Sequence, residues 1–441
     1  MSMVIRGLLW FALYLAVVMA PGVVALVVDP FDTPRPALVE MSVAFGFVAF
    51  AVIAGQFALV SRFQASSRPF GTDALVQFHQ YIGGIGLGLA IAHPLLLTAA
   101  GLPWSAWNPL AGGLTVQSGA IALWALVLLV ATTVWRRKLQ LSYEAWQRLH
   151  LALAALTGLA LVAHALAVNG YSRAAPVRVA VLIYAAAFSA VTLHYRLVRP
   201  FRLGLRPWEV VTNVDAGGST RLLRVRPVGH PGLRFEPGQF AWLMTGPTPL
   251  RSQQHPLSIA SSAQPAADGS LEFSVKALGD WSARVVPTLA AGTRVWVDGA
   301  FGAFTSERKA NPGFVMIAGG IGIAPMRSML LTMRDRGDRR HVVLFVAVHD
   351  ESRLIFGREV EQFRASLNLD LVVTFEAPSP DWSGERGQIT TEMLRRHLPT
   401  RFRQYHYFVC GPPAMMDAVE SALLGLGVPA AAIDSERFNL V

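Results

Sequence analysis

Six nearly uncharged apolar runs, each long enough to cross a bilayer, fill the first 200 residues, near 8–28, 38–60, 76–100, 117–134, 147–168 and 177–197. A hydrocarbon crossing takes about 20 apolar residues of helix. Backbone polar groups inside a bilayer must be satisfied within the protein, so runs of this kind fold as helices. Hence the feature dictates a six-helix membrane bundle for the N-terminal half. With 53% hydrophobic residues, 15% charged residues and a mean hydropathy of +0.42, the chain is too apolar for an ordinary soluble protein. The first run follows Met1 and Arg6 and reads as a retained helix, because it exceeds the length of a signal-peptide core. From residue 206 onward, mixed polar and apolar sequence takes over.

The net charge of +10 sits mainly in the membrane half, where residues 1–205 hold 13 Lys and Arg against 5 Asp and Glu. Alternate loops explain it. One side carries Arg6, Arg62, Arg68, Arg136, Arg137, Lys138, Arg148, Arg196, Arg199 and Arg202, and the other only Arg35, Arg173 and Arg178. That is positive-inside patterning rather than a nucleic-acid surface, and it puts both termini in the cytoplasm of an inner (plasma) membrane protein. Trp104 and Trp107 suit an interfacial belt in an otherwise uncharged outer loop. Cys410 is the only cysteine, which excludes an intrachain disulfide and any cysteine-built metal cluster.

Four histidines fall inside the runs, His79 and His93 in the third, His150 and His164 in the fifth. Both pairs are 14 residues apart, about 21 Å of helical rise and about 40° short of four turns. Each pair therefore occupies one face of its helix at two depths. The two helices run in the same direction, so His79 is level with His150 on the cytoplasmic side and His93 with His164 on the outer side. Two facing imidazoles at two depths suit two bis-histidine haems, since neutral imidazole is a good haem-iron ligand. Gly83, Gly84, Gly86 and Gly88, in "FHQYIGGIGLGLAIAH", then leave a bare surface for a flat porphyrin. Competing readings are a small-xxx-small contact through Gly84 and Gly88, isolated polar histidines, and a proton or metal relay. His194, alone near the end of the sixth run, reads as interfacial.

The cytoplasmic half has two patterns. Short alternating segments such as "WEVVTNV", "RLLRVRPV", "QFAWLMT" and "LEFSVKAL" predict a small antiparallel β-barrel. "GDWSARV" reads as a turn feeding a short helix whose first amides suit a phosphate. After about residue 310, strands alternate with helices, the pattern of an α/β doubly wound parallel sheet. In "GFVMIAGGIGIAPMRSM", Gly319, Gly320 and Gly322 sit where a strand hands over to a helix beginning near Ile323, the setting of a pyrophosphate cradle. A glycine turn without a ligand is the alternative, since the spacing departs from the full dinucleotide fingerprint.

With these motifs in this order, nearly the whole chain resembles the ferric reductase and NADPH oxidase superfamily. The resemblance implies a transmembrane dihaem domain (1–203), an FAD-binding β-barrel (204–308) and an NAD(P)-binding α/β domain (309–441). His79, His93, His150 and His164 match the family's ligands to two haem b groups. "HPLSIASS" resembles its flavin motif, with His255, Pro256, Leu257 and Ser258 lining the flavin and Ser258 near the reactive nitrogen. "GDWS" matches the flavin pyrophosphate loop through Gly279 and Ser282, and "DGAFG" matches its DGPFG with Ala300 in place of proline. "GGIGIAPM" (Gly319, Gly320, Gly322, Pro325) and "CGPPAMM" (Cys410, Gly411, Pro412) match the nicotinamide nucleotide sites. Cys410 would lie beside the nicotinamide and Phe438 over the flavin, so Ser258, Cys410 and Phe438 are the catalytic candidates.

The implied reaction carries electrons from NAD(P)H through FAD and the two haems to an external acceptor, either a ferric chelate or O2. Arg173 in the last outer loop reads as a snorkelling arginine before an anion attractor. Alternatives are an electron-transfer subunit serving an extracytoplasmic protein and, further off, a metal or proton carrier regulated by its reductase half. Ser352 and Arg353 favour NADPH over NADH, and Asp350 argues the other way.

Overall fold

The computed structural model describes residues 3–28, 35–59, 64–168, 170–307 and 311–437. They form two compact units that meet in sequence at Arg196 and Leu197.

The first unit is helical: α1 Met3–Val28, α2 Ala37–Leu59, α3 Gln64–Ala99, α4 Leu114–Val134, α5 Tyr143–Ala167 and α6 Ala175–Leu193. Among the described residues, its helices supply six spans long and apolar enough to cross a membrane. Some helices start before their apolar run. The first ten residues of α3 and the start of α5 carry polar residues that continue the helix beyond hydrocarbon. α5 begins with a serine cap, Ser142 Oγ accepting from the Ala145 amide at 3.2 Å. α4 packs along α5, while α1 lies against α2 and α6. After α6 the chain widens into a π turn over His194–Val198 and resumes as α7, Arg199–Gly204. Pro200 has no N–H to bond the carbonyl four residues back, which accounts for the widened turn.

The second unit starts with six antiparallel strands: β1 Trp208–Asp215, β2 Thr220–Pro227, β3 Phe240–Thr245, β4 Gln253–Ser258, β5 Leu271–Lys276 and β6 Arg294–Phe301. Their order is β4-β3-β6-β1-β2-β5. The two edges meet through the Ile259–Phe273 bridge and the Ala260 amide donating to Glu272 O at 2.7 Å, closing the barrel. Its interior holds Trp208, Leu223, Leu243, Ile259 and Phe273.

A parallel sheet follows, built from β7 Gly313–Gly319, β8 His341–Val348, β9 Leu369–Phe375, β10 Glu385–Arg386, β11 His406–Cys410 and β12 Ile433–Glu436. The helices between them are α8 Ile323–Arg336, α9 Gly357–Ser366, α10 Thr391–His397 and α11 Pro413–Gly425. The strand order is β10-β9-β8-β7-β11-β12, and every residue of β7 and β11 is buried. Strands covered on both faces read as continuous apolar runs, as "FVMIA" and "HYFVC" do. The expected architecture, a six-helix membrane bundle followed by an antiparallel flavin-type barrel and a doubly wound α/β sheet, is the one found.

Candidate functional site

Helices α3 and α5 bring the four histidines together in two pairs. The rings of His79 and His150 have centroids 6.5 Å apart, and those of His93 and His164 are 6.2 Å apart. Imidazole nitrogen bonds a metal at about 2 Å and the ring centre lies about 1 Å behind, so two rings on opposite sides of one ion stand about 6 Å apart. Both pairs meet that requirement. No group of three or more His, Cys, Asp or Glu poised for a metal occurs among the described residues. Two protein ligands per site suit an ion that brings its other ligands in a macrocycle.

The hydrogen bonds around the rings decide which nitrogen is free. His93 Nδ1–H donates to the Ser42 carbonyl at 2.8 Å, and His164 Nδ1–H to the Thr115 carbonyl at 2.7 Å. A carbonyl can only accept, so the proton is on Nδ1 and the lone pair on Nε2. The Thr133 hydroxyl donates its proton to the Leu129 carbonyl at 2.7 Å, so it accepts from His150 Nδ1–H at 3.2 Å and from Trp146 Nε1–H at 3.2 Å. At His79 the sense is reversed, the Gln56 amide N–H donating to Nδ1 while its oxygen accepts from the Gly83 amide at 3.1 Å, so an Nδ1 proton is fixed at three of the four rings. Ligating histidines are held in this way, by a partner on the other ring nitrogen.

The glycines of α3 divide differently from the sequence reading. At about 100° per residue, Gly84 and Gly88 lie about 140° and 180° around the helix from His79. A Cβ at either would meet nothing within 4 Å, so they face away from the histidine pairs and from any packed helix. Gly86 is on the histidine face, and a Cβ there would lie 3.0 Å from Val52 of α2. Close helix packing, not porphyrin space, accounts for Gly86.

In the barrel, β4 pairs with β3 so that Leu243 opposes His255 and Phe240 opposes Ser258. The His255 ring stacks on Trp281 at 3.8 Å, and Leu257 packs against the barrel interior. Alternation along the strand places Pro256 and Ser258 on the other face. The Ser258 hydroxyl is buried and has no hydrogen-bond partner among the described residues. A buried orphan hydroxyl costs free energy unless a ligand engages it, which fits a flavin edge at this point. The "GDWS" segment forms a short π turn over Trp281–Val285. Ser282 Oγ accepts from the Leu278 and Gly279 amides at 2.9 and 3.0 Å, while Gly279 itself is open.

In the parallel sheet, β7 lies between β8 and β11, and the connections from β7 and to β11 run in opposite directions across the sheet. This is the topological switch point, where doubly wound sheets bind ligands at the carboxyl ends of their strands. Gly319, Gly320 and Gly322 close one side of that crevice and Gly411 and Pro412 the other. The loops touch so closely that a Cβ on Gly322 would lie 2.1 Å from the Cys410 carbonyl oxygen, and one on Gly319 2.6 Å from Pro412. Gly320 has φ +53°, a second reason for glycine. Pro325 is buried in the first turn of α8.

Three stretches of the chain match family models in this order: ferric reductase like transmembrane component over residues 45–161, FAD-binding domain over 218–309 and oxidoreductase NAD-binding domain over 316–421. A ferric reductase-like transmembrane component followed by FAD- and NAD-binding domains is the domain set expected of the ferric reductase and NADPH oxidase superfamily. The chain is a multi-pass membrane protein whose ferric reductase-like bundle is fused to an FAD- and NAD(P)H-binding reductase module. That module is 29% identical over 224 residues to the xylene/toluene monooxygenase electron transfer component XylA of Pseudomonas putida, covering 49% of this chain and 61% of that protein. It is 33% identical over 141 residues to NADH-cytochrome b5 reductase 1 of Candida albicans, 31% of this chain and 47% of that one. The chain thus spans less than two thirds of these curated relatives. Among solved structures, the flavohem-like FAD/NAD binding domain of nitric oxide dioxygenase from Vibrio cholerae O1 biovar El Tor has a TM-score of 0.47 and 21% identity, covering 53% of this chain and 98% of that one.

Other candidate residues of this ferric reductase-like chain are less simply placed. Cys410 has no exposed surface, its side chain packing with Phe304 and Phe408, and it lies opposite Glu436 of β12. Phe438 lies outside the described residues. Ser352 and Arg353 occupy the turn after β8, where the Asp350 carboxylate accepts from the Ser352 amide at 3.0 Å and from its hydroxyl, with Arg353 Nε 3.5 Å away. The Ser352 hydrogen bond, foremost among several causes, holds Asp350 below the usual carboxylate range. Arg173 is exposed in its loop.

Two residues had no signal in the sequence. Lys276, at the end of β5, brings its ammonium to 3.6 Å from where a Cβ on Gly320 would stand, a cation at the glycine turn. Arg327 of α8 is 6% exposed. It donates to Glu359 of α9 at 2.6 and 2.9 Å, to Glu272 of β5 at 2.7 Å and to the Ala260 carbonyl at 2.8 Å. Burial opposes its charge, but the two glutamates outweigh burial and push its pKa up.

Proposed function

We propose that the chain carries electrons from a reduced nicotinamide nucleotide across the membrane to a small external acceptor, a ferric chelate or O2. One observation carries the reading: two imidazole pairs at two depths, with ring centres 6.5 and 6.2 Å apart, and Nδ1–H engaged so that Nε2 is left to bind iron at His93, His150 and His164. His79 with His150, and His93 with His164, would each hold one haem b through Nε2. When bound, FAD accepts a hydride as an electron pair and haem iron takes single electrons, so together they split a two-electron donor into single steps.

The protein's own groups bind and orient. The Ser258 hydroxyl is available to a flavin edge, and the Gly319–Gly322 turn, with Lys276 beside it, receives a nucleotide phosphate at the switch point. Asp350 is an anion at the end of β8, already accepting from Ser352, and a 2′-phosphate would compete with it for Arg353. This geometry supports NADH, against the NADPH preference suggested by the serine and arginine alone. Loop charges put the His79–His150 pair on the cytoplasmic side of an inner (plasma) membrane, with the termini cytoplasmic. Outward electron flow then works against the membrane potential by about 2.3 kcal/mol per charge per 100 mV.

The purified protein in detergent tests the proposal. Two haems per chain are expected, with absorbance bleached or shifted on reduction by NADH, and one haem lost when His164 becomes alanine. A preparation without haem would overturn it. Superoxide formed without added iron would assign O2 as the acceptor, and iron reduction alone would assign the chelate.

A further inference from the structure

The two histidines level with each other at one depth, His93 and His164, are held by the same device on two different helices. Ser42 and Gly46 are four residues apart on α2, and so are Thr115 and Gly119 on α4. In a helix the carbonyl of residue i already accepts the amide of residue i+4. Its oxygen has a second lone pair, and here an imidazole Nδ1–H takes it, His93 on Ser42 at 2.8 Å and His164 on Thr115 at 2.7 Å. The route to that oxygen crosses residue i+4. A Cβ on Gly46 would lie 3.0 Å from Nδ1 and 3.2 Å from Cε1 of His93. On Gly119 it would lie 2.8 and 2.9 Å from the same atoms of His164. A side chain at either position pushes the ring off its carbonyl. At His93 the Ser42 hydroxyl, which donates to the His93 carbonyl at 2.8 Å, also lies 2.9 Å from Nδ1, whereas at the other pair side chains alone, the Gln56 amide and the Thr133 hydroxyl, meet the rings.

We propose that Gly46 and Gly119 are positioning residues for one of the two haem sites, letting each imidazole lie against helix backbone so that a main-chain carbonyl fixes its Nδ1 proton and aims Nε2. The proposal rests on the dihaem reading above. A strong Nδ1–H bond raises the basicity of the ligating nitrogen, which favours oxidised iron. Crowding the ring lengthens that bond, so the potential of this one site should rise while its partner's stays.

The test is a redox titration of the haem absorbance of full-length protein in detergent, with low-temperature EPR of the oxidised form. Gly46→Ala and Gly119→Ala should each shift one of two components to higher potential and change its EPR signal, or lose that haem alone. Gly86→Ala is the control, because its Cβ meets Val52 at 3.0 Å and touches no histidine. Two unshifted components in both glycine variants would overturn the clamp, as would an equal shift in Gly86→Ala. If Gly119→Ala does not fold, Gly46→Ala decides, since the ring there needs to yield by only a few tenths of an ångström. Wild-type protein lacking haem would instead overturn the dihaem reading, whereas haem-loaded wild type with unshifted variants overturns only the clamp.

Discussion

Replacing Arg327 with methionine should destabilise the reductase module far more than a surface substitution would. The guanidinium, 7% exposed as a side chain, neutralises Glu272 and Glu359 at once, and its ion sits 4.7 Å over the Phe356 ring. Its removal leaves two carboxylates facing a space built for a cation. Breaking a buried ion pair from one side costs about 3–5 kcal/mol. The carboxylates keep 24% and 28% of their surface in water, which argues for the low end, about 3 kcal/mol. For a module of this size that corresponds to a fall of roughly 6–12 °C in unfolding temperature. FAD release on heating the full-length protein, followed by flavin fluorescence, reads it. Adding Glu272→Gln and Glu359→Gln to the methionine variant removes the stranded charges and should recover most of the loss. A loss below about 1 kcal/mol for the single variant, or no recovery in the triple, would refute the view that stranded charge dominates.

Gly322→Ala forces a Cβ to 2.1 Å from the Cys410 carbonyl, so the two loops must part by about 1 Å and flavin reduction by NADH should slow on the order of a hundredfold. Gly88→Ala, with nothing within 4 Å, should leave flavin reduction and haem content unchanged; stopped-flow absorbance compares the two. Asp350→Ser should raise the kcat/KM ratio of NADPH to NADH, on the order of tenfold, and an unchanged ratio would remove Asp350 from coenzyme choice. Asp338 is held low chiefly by the hydrogen bond from Arg340, and Glu385 chiefly by that from His397 and then by Arg396. Folded-state pKa values below the unfolded ones stabilise the protein above about pH 4 and lose that contribution as pH falls. Unfolding temperature should therefore drop between about pH 5 and 3, and Asp338→Asn should flatten part of that drop.

The spans were legible because hydrocarbon thickness imposes a length on apolar helices whatever their neighbours. The histidine pairs were legible because 14 residues return a helix nearly to the same face. What holds each ring was not. Ser42 and Thr115 each lend a main-chain oxygen, which every residue possesses, Ser42 adding its hydroxyl beside His93 Nδ1, and Gly46 and Gly119 act by lacking a side chain. The sense of Gly84 and Gly88 was open to the same helical arithmetic that paired the histidines, but four glycines in six residues suggested one shared role. Alternation along β4 separates Leu257 from Ser258, so a contiguous motif does not present a contiguous surface. Arg327 and Lys276 owe their places to partners 55 residues away on Glu272, and across the glycine turn at Gly320, which no local pattern announces.

The chain's only thiol has no exposed surface, walled in by its own strand and by the glycine loop against its carbonyl. In chemical terms the folded protein is therefore blank toward thiol reagents. A cysteine introduced at a loop between spans would be the sole target for a membrane-impermeant maleimide applied to intact cells. Each loop could be assigned to one face of the membrane without first building a cysteine-free background.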